Sequence, residues 1–158
     1  TVFLAIAAPS RDVRVISKLV SKQDVRYDAD RFTTIPAYCT VMGRVLLAHA
    51  DEEAIDAYFA RTEIHAYTPR TVTDVRRLRE ILREIRCQGY GVVAEEYAIG
   101  GCGIAAPIFG QTGAVVAVID VATIAQRFNQ SRDIMVAAVV QAAAEISHRL
   151  GFRQAKSA

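Results

Sequence analysis

Glu95–Ala122, EEYAIGGCGIAAPIFGQTGAVVAVIDVA, decides how this chain is organised. Two apolar runs, Ile104–Phe109 (IAAPIF) and Ala114–Val121 (AVVAVIDV), flank Gly110-Gln-Thr-Gly113. Short β-branched runs bounded by glycine predict two strands joined by a hairpin turn. The second run is apolar on both faces, so it reads as a central strand covered on both sides. Two polar features interrupt the pattern. Glu95 and Glu96 precede the loop Gly100-Gly101-Cys102-Gly103, and Asp120 sits among valines and isoleucine. A carboxylate in such a place is costly unless it is paired or solvated. An edge position or a loop clamp accounts for these acids as well as a ligand pocket does.

Outward from this hairpin, Tyr90–Ala94 predicts a strand leading into it. Ahead of that strand, Val75, Leu78, Ile81, Leu82 and Ile85 form the apolar stripe of a helix running to about Gln88, with Gly89 ending it. Thr71 with Asp74 fits a capping box at its start. Its arginines alternate with Glu80 and Glu84, which reads as a solvated face with ion pairs rather than a nucleic-acid surface. Asp51–Phe59 predicts a short helix capped by Asp51. Ala37–Ala48 predicts another, with Pro36 at its first turn and Gly43 at a close approach. The chain opens as a meander: Val2–Ala8, a turn at Pro9–Asp12, an antiparallel Val13–Val20, and a short third strand at Val25–Tyr27, with Phe32–Pro36 ending the unit. At the other end Ser131 caps a long alanine-rich helix to Leu150, and Gly151 stops it. Strands, helices, strands and a helix in that order define an α+β domain with a mainly antiparallel sheet.

Composition narrows the function. The chain has 158 residues, 52% of them hydrophobic, enough for one domain with a core. A formal net charge of +2 gives no electrostatic case for nucleic-acid binding by this segment. The cysteines Cys39, Cys87 and Cys102 are widely spaced and odd in number, which fits a reducing, cytoplasmic setting rather than a disulfide framework. No apolar run is long enough for a membrane span. The start at Thr1, directly in a strand-like run, reads as the beginning of a fragment.

Three pieces taken together resemble a known family. They are Ile35-Pro-Ala-Tyr-Cys-Thr-Val-Met-Gly-Arg-Val-Leu-Leu-Ala48, Tyr67-Thr-Pro-Arg-Thr-Val-Thr-Asp74, and Gly89-Tyr-Gly-Val-Val-Ala-Glu-Glu96 followed by Gly103-Ile-Ala-Ala-Pro107. In this order and spacing they resemble the effector-binding domain of the isocitrate lyase regulator (IclR) family of bacterial transcription factors. The Tyr-Cys-Thr-x-x-Gly-Arg-Val form is most similar to the branch regulating protocatechuate and β-ketoadipate catabolism. The resemblance implies a GAF-like fold, a curved sheet with helices packed on it and a cavity on the concave side. It implies residues 1–152 as the effector-binding domain, 153–158 as a frayed tail, and an N-terminal winged helix-turn-helix that is absent from this segment. The implied partners are a small organic effector, operator DNA through the absent domain, and further copies of the chain in a homodimer or homotetramer. The implied cavity residues are Val41, Met42, Gly43, Val93, Cys102, Gly103, Asp120 and Ala122. Leucine-arginine-serine is common in that branch where this chain has Gly101-Cys102-Gly103, and a small polar residue is usual in place of Asp120. These departures point to an effector that is neutral or donates hydrogen bonds, rather than a simple carboxylate.

Enzyme chemistry has less support. Cys102 between glycines is a candidate nucleophile with Glu95 to orient a base. His49, His65 and His148, however, carry no recognisable motif. The cysteines and histidines lack zinc spacing, and the glycine loop lacks the lysine and hydroxyl of a P-loop. The sequence therefore reads as a sensing domain with no catalytic residue, cofactor or metal. The alternatives are a cysteine-dependent enzyme using Cys102 and a ligand-free dimerisation module.

Overall fold

The computed structural model describes residues 1–28 and 34–153. The elements in chain order are β1 (Val2–Ala7), β2 (Val13–Leu19), β3 (Thr34–Ile35), α1 (Val41–Ala48), α2 (Glu52–Arg61), α3 (Val75–Gln88), β4 (Gly91–Ala94), β5 (Gly101–Phe109), β6 (Val115–Ile124) and α4 (Ala125–Arg149). The strands form one curled antiparallel sheet in the order β3-β2-β1-β6-β5-β4.

The β5–β6 hairpin forms the middle of the sheet, as the apolar runs predict. Its turn closes through Gly110 N–H donating to Ala114 O at 2.8 Å and Gly113 N–H to Gly110 O at 3.0 Å. Gly113 has φ 84°, a left-handed value that glycine adopts without a Cβ penalty. β6 pairs along its two edges with β1 and β5, and the helices on either side of the sheet cover both its faces. Val118, Asp120 and Ala122 share one face, and Ala117, Ile119 and Val121 the other. Pro107 is tolerated inside β5 because β4 pairs only as far as Ala105, leaving no partner there that needs the missing N–H. Two bulges, between Leu4 and Ala5 and between Ile108 and Phe109, leave Ile16 and Val116 out of the ladders. Both of these bulged apolar residues are exposed.

Helices cover both faces. α1, α2 and α3 bury Val45, Leu47, Ile55, Tyr58, Leu78, Leu82 and Ile85 against Phe3, Ala5, Val15, Ala105 and Val118. On the other face α4 buries Phe128, Val139 and Ala143 against Ile104, Ala106, Ile108 and Ala117. Ser147 fastens α4 to the sheet, accepting from Phe109 N–H at 2.9 Å while donating to Ala143 O.

Several local expectations change. The third strand is Thr34–Ile35, paired with β2; Val25–Tyr27 is not a strand, and its Tyr27 carbonyl instead accepts from Thr1 Oγ1 at 2.5 Å. α1 begins at Val41 rather than Ala37. The Tyr58 hydroxyl receives the N–H groups of Ala37 and Tyr38 at 3.1 and 3.2 Å, which holds those residues in a turn. Asp51 caps α2 by accepting from Ala54 N–H. α3 is capped by Asp74 itself, accepting from Arg76 N–H at 2.8 Å, while Thr71 turns away to donate to Glu96 O. The expected capping box is therefore not made. α4 starts at Ala125, and Ser131 marks a kink inside it (φ −137°, ψ 19°) rather than its first cap. Phe32 and Thr33, expected to begin the break before Pro36, and residues 154–158 of the expected frayed tail lie outside the described residues.

Candidate functional site

The site begins with a buried ion pair. Arg44, on α1, is 1% exposed. Its guanidinium donates to both Glu96 oxygens, Nη1 to Oε1 at 2.7 Å and Nη2 to Oε2 at 2.5 Å, and its Nε donates to Tyr38 O at 2.7 Å. A paired fork of this kind satisfies both charges inside the core. Glu96 also accepts from Val72 N–H at 3.0 Å, and the hydroxyls of Thr68 and Thr71 donate to the carbonyls of Glu95 and Glu96. Glu95 adopts φ 60°, accepts from Gly100 N–H at 2.9 Å and pairs with Arg70 at 2.9 Å. The acidic pair is thus the loop clamp that its sequence position allowed. It ties the segment 95–101 to α1 and to the segment 68–72.

This clamp shapes one wall of a cavity of about 390 Å³. The start of α1, the segment before β5 and the α1-side face of the sheet enclose it. Val41, Met42, Val93, Cys102, Gly103, Asp120 and Ala122 all line it. Gly43 stands apart: a Cβ there would lie 2.2 Å from Ala37 Cα, so its glycine admits the turn before α1 rather than a ligand. Gly103 does border the space, since a Cβ on it would lie 2.8 Å from Val41 Cγ1 and 3.0 Å from Asp120 Oδ1. The wall also contains residues that sequence reasoning did not single out, among them Phe3, Val15, Tyr27, Ile35, Cys39, Thr40 and Tyr97. Strand alternation could have found Phe3, which pairs with Asp120. Nothing local announces Tyr27 and Tyr97, which arrive from loops.

Asp120 is the chemical centre of this wall. It is 2% exposed, and its Oδ1 has no hydrogen-bond partner among the described residues. Burial pushes its carboxyl up to about 8, and the Ile104 N–H opposes this without overcoming it. At neutral pH the group is mostly an uncharged acid. Burial also raises the Tyr27 and Tyr97 phenols and pushes the Cys39 thiol up to about 12. Cys102 belongs to the cluster on the α4 side, one residue out of phase with Gly103, and burial followed by the charge of Glu95 raises its thiol. A reactive cysteine needs the reverse shift. Among the described residues no group of three or more histidine, cysteine or acidic side chains could hold a metal ion. No helix among them is long and apolar enough to cross a membrane.

An antiparallel α+β fold with a cavity under its first helix is a ligand-binding architecture, and comparison with known proteins gives the family. Residues 1–148 match the family described as bacterial transcriptional regulator IclR C-terminal, and the chain belongs to it. It is 39% identical over 97 residues to the Pca regulon regulatory protein of Pseudomonas putida, covering 61% of this chain and 33% of that protein. It is 33% identical over 138 residues to the transcriptional regulator KdgR of Escherichia coli, covering 84% of this chain and 52% of the relative. The chain thus matches between a third and about half of the length of these two relatives. The crystal structure of Thermotoga maritima IclR superposes with a TM-score of 0.85 at 29% identity, covering 96% of this chain and 61% of that one.

Proposed function

We propose that this domain senses a small organic effector in the cavity beneath α1. A DNA-binding segment outside this chain would carry the response to an operator, acting within a homodimer or homotetramer in the cytoplasm. The observation that carries the reading is the cavity itself: a space of about 390 Å³, mostly apolar, with a buried acid aimed into it and unsatisfied. Ligand sites have this composition, an apolar surround with a few placed polar groups. The eight residues Val41, Met42, Gly43, Val93, Cys102, Gly103, Asp120 and Ala122 are the proposed site, Gly43 acting from behind the wall. Effector and operator would be linked through their different affinities for two arrangements of the assembled protein. The domain has no catalytic role on this reading: Cys102 faces the wrong side of β5 and its thiol is held protonated.

The test is a thermal-shift screen of small carboxylates, phenols, amines and sugars against the wild-type chain and Gly103→Leu. A ligand that binds only the folded state raises its Tm. Compounds that stabilise the wild type and not the variant support the reading. They should then alter operator affinity in the full-length regulator. Compounds that stabilise both equally would contradict it.

A further inference from the structure

The ionisable side chains around the cavity are one-sided in their chemistry. Asp120, the phenols of Tyr27 and Tyr97 and the residues Cys39 and Cys102 line it, and among the described residues no lysine, arginine or histidine does. The charged groups nearby beyond the wall, among the described residues, are Asp28 and Arg127 near Thr1. Arg44, the buried cation of α1, is already consumed by Glu96. An entering carboxylate would lose its water and meet no cation among the described lining residues, which is costly. An entering ammonium would find a carboxyl oxygen without a partner among the described residues, in a wall that also contains the aromatic rings of Tyr27 and Tyr97. Asp120 lies opposite Phe3 on β1 and Ala105 on β5. Gly103 adds no Cβ beside its Oδ1, where one would lie 3.0 Å away.

We propose that the effector is a small amine, whose ammonium is received by Asp120 with its apolar body against Phe3, Val41 and Met42. This rests on the sensing function above and gives it a chemical class. Because the empty site holds Asp120 as a neutral acid, raised to about 8, binding is an exchange of charge. The carboxyl proton leaves to solvent, and the carboxylate pairs with the ammonium. The affinity of an amine that stays protonated should therefore rise as the pH rises through the titration of Asp120. A carboxylate ligand, favoured by the neutral acid as a donor, would show the opposite slope.

The probes are phenethylamine, 2-phenylethanol and phenylacetate, which share a ring and differ in the polar end. Titration calorimetry at pH 6.5 and 8.5 should show phenethylamine binding the wild type, with affinity about twentyfold higher at the upper pH, from the fraction of Asp120 ionised. In buffers of different ionisation enthalpy, binding at pH 6.5 should release about one proton, as the charge exchange requires. That readout needs no variant. Asp120→Asn should lose most of the amine affinity and all of the pH slope. Tighter binding of phenylacetate or 2-phenylethanol would overturn the amine assignment while leaving a working sensor. Amine binding unchanged in Asp120→Asn, binding without proton release, or no saturable amine binding at millimolar concentration would overturn it too.

Discussion

Glu96→Gln should be among the most damaging near-isosteric changes in the domain. The substitution keeps the shape of the side chain and removes its charge. Arg44, 1% exposed, would then keep a full positive charge in the core with Tyr38 O as its remaining strong acceptor. Breaking one side of a buried pair in this way costs about 3–5 kcal/mol. For a domain of this length each kcal/mol moves Tm by roughly 2–4 °C, so a fall of about 10 °C is expected. Urea denaturation of the wild type, Glu96→Gln, Arg44→Met and the double variant Arg44→Met/Glu96→Gln would close the cycle. Each single change should be costly, and the double change should cost less than the two singles summed, because no unpaired charge remains. A loss below about 1 kcal/mol for Glu96→Gln, the level of an exposed pair, would refute the clamp as described.

Other outcomes follow from the same geometry. Gly43→Ala should destabilise by about 1–3 kcal/mol or more, because the added Cβ would sit 2.2 Å from Ala37 Cα and backbone must yield; unchanged denaturation would refute that contact. Asp120 makes stability fall with rising pH. Its ordinary value is 3.8 and its folded value about 8, so between these limits the folded state holds a proton that the unfolded chain has lost. Asp120→Asn should gain on the wild type across that window, by as much as about 1.4 kcal/mol for each pH unit, and the advantage should vanish near pH 4. Cys102→Ser should keep effector binding within about threefold and leave no activity to lose, since the thiol is not a nucleophile on this account.

Much of the fold is legible in the sequence because one residue pattern dictates it. The runs around Gly110–Gly113 have strand composition and a turn between them, and β6 is apolar on both faces because helices pack on both sides of the sheet there. The stripe from Val75 to Ile85 could pack only as a helix. What escaped the sequence depends on distant partners. The turn at Ala37–Thr40 looks helical until Tyr58, from α2, takes up its N–H groups. The pairing of Arg44 has no local signal, because its partner lies far along the chain at Glu96. The side of β5 on which Cys102 lies follows from register, since Gly103 pairs with Ala122 and so shares its face. The glycine loop's composition drew attention to the thiol, whereas Gly103 and Asp120 hold the cavity face.

The most direct test of the sensing account is the crystal structure of the domain with a compound that raises its Tm. The account predicts the compound between Val41, Gly103 and Asp120, with a polar atom within hydrogen-bond distance of Asp120 Oδ1. A compound seated instead in the groove between α2 and α3, against Glu52, Arg79 and Arg83, with the cavity beneath α1 unchanged, would contradict it.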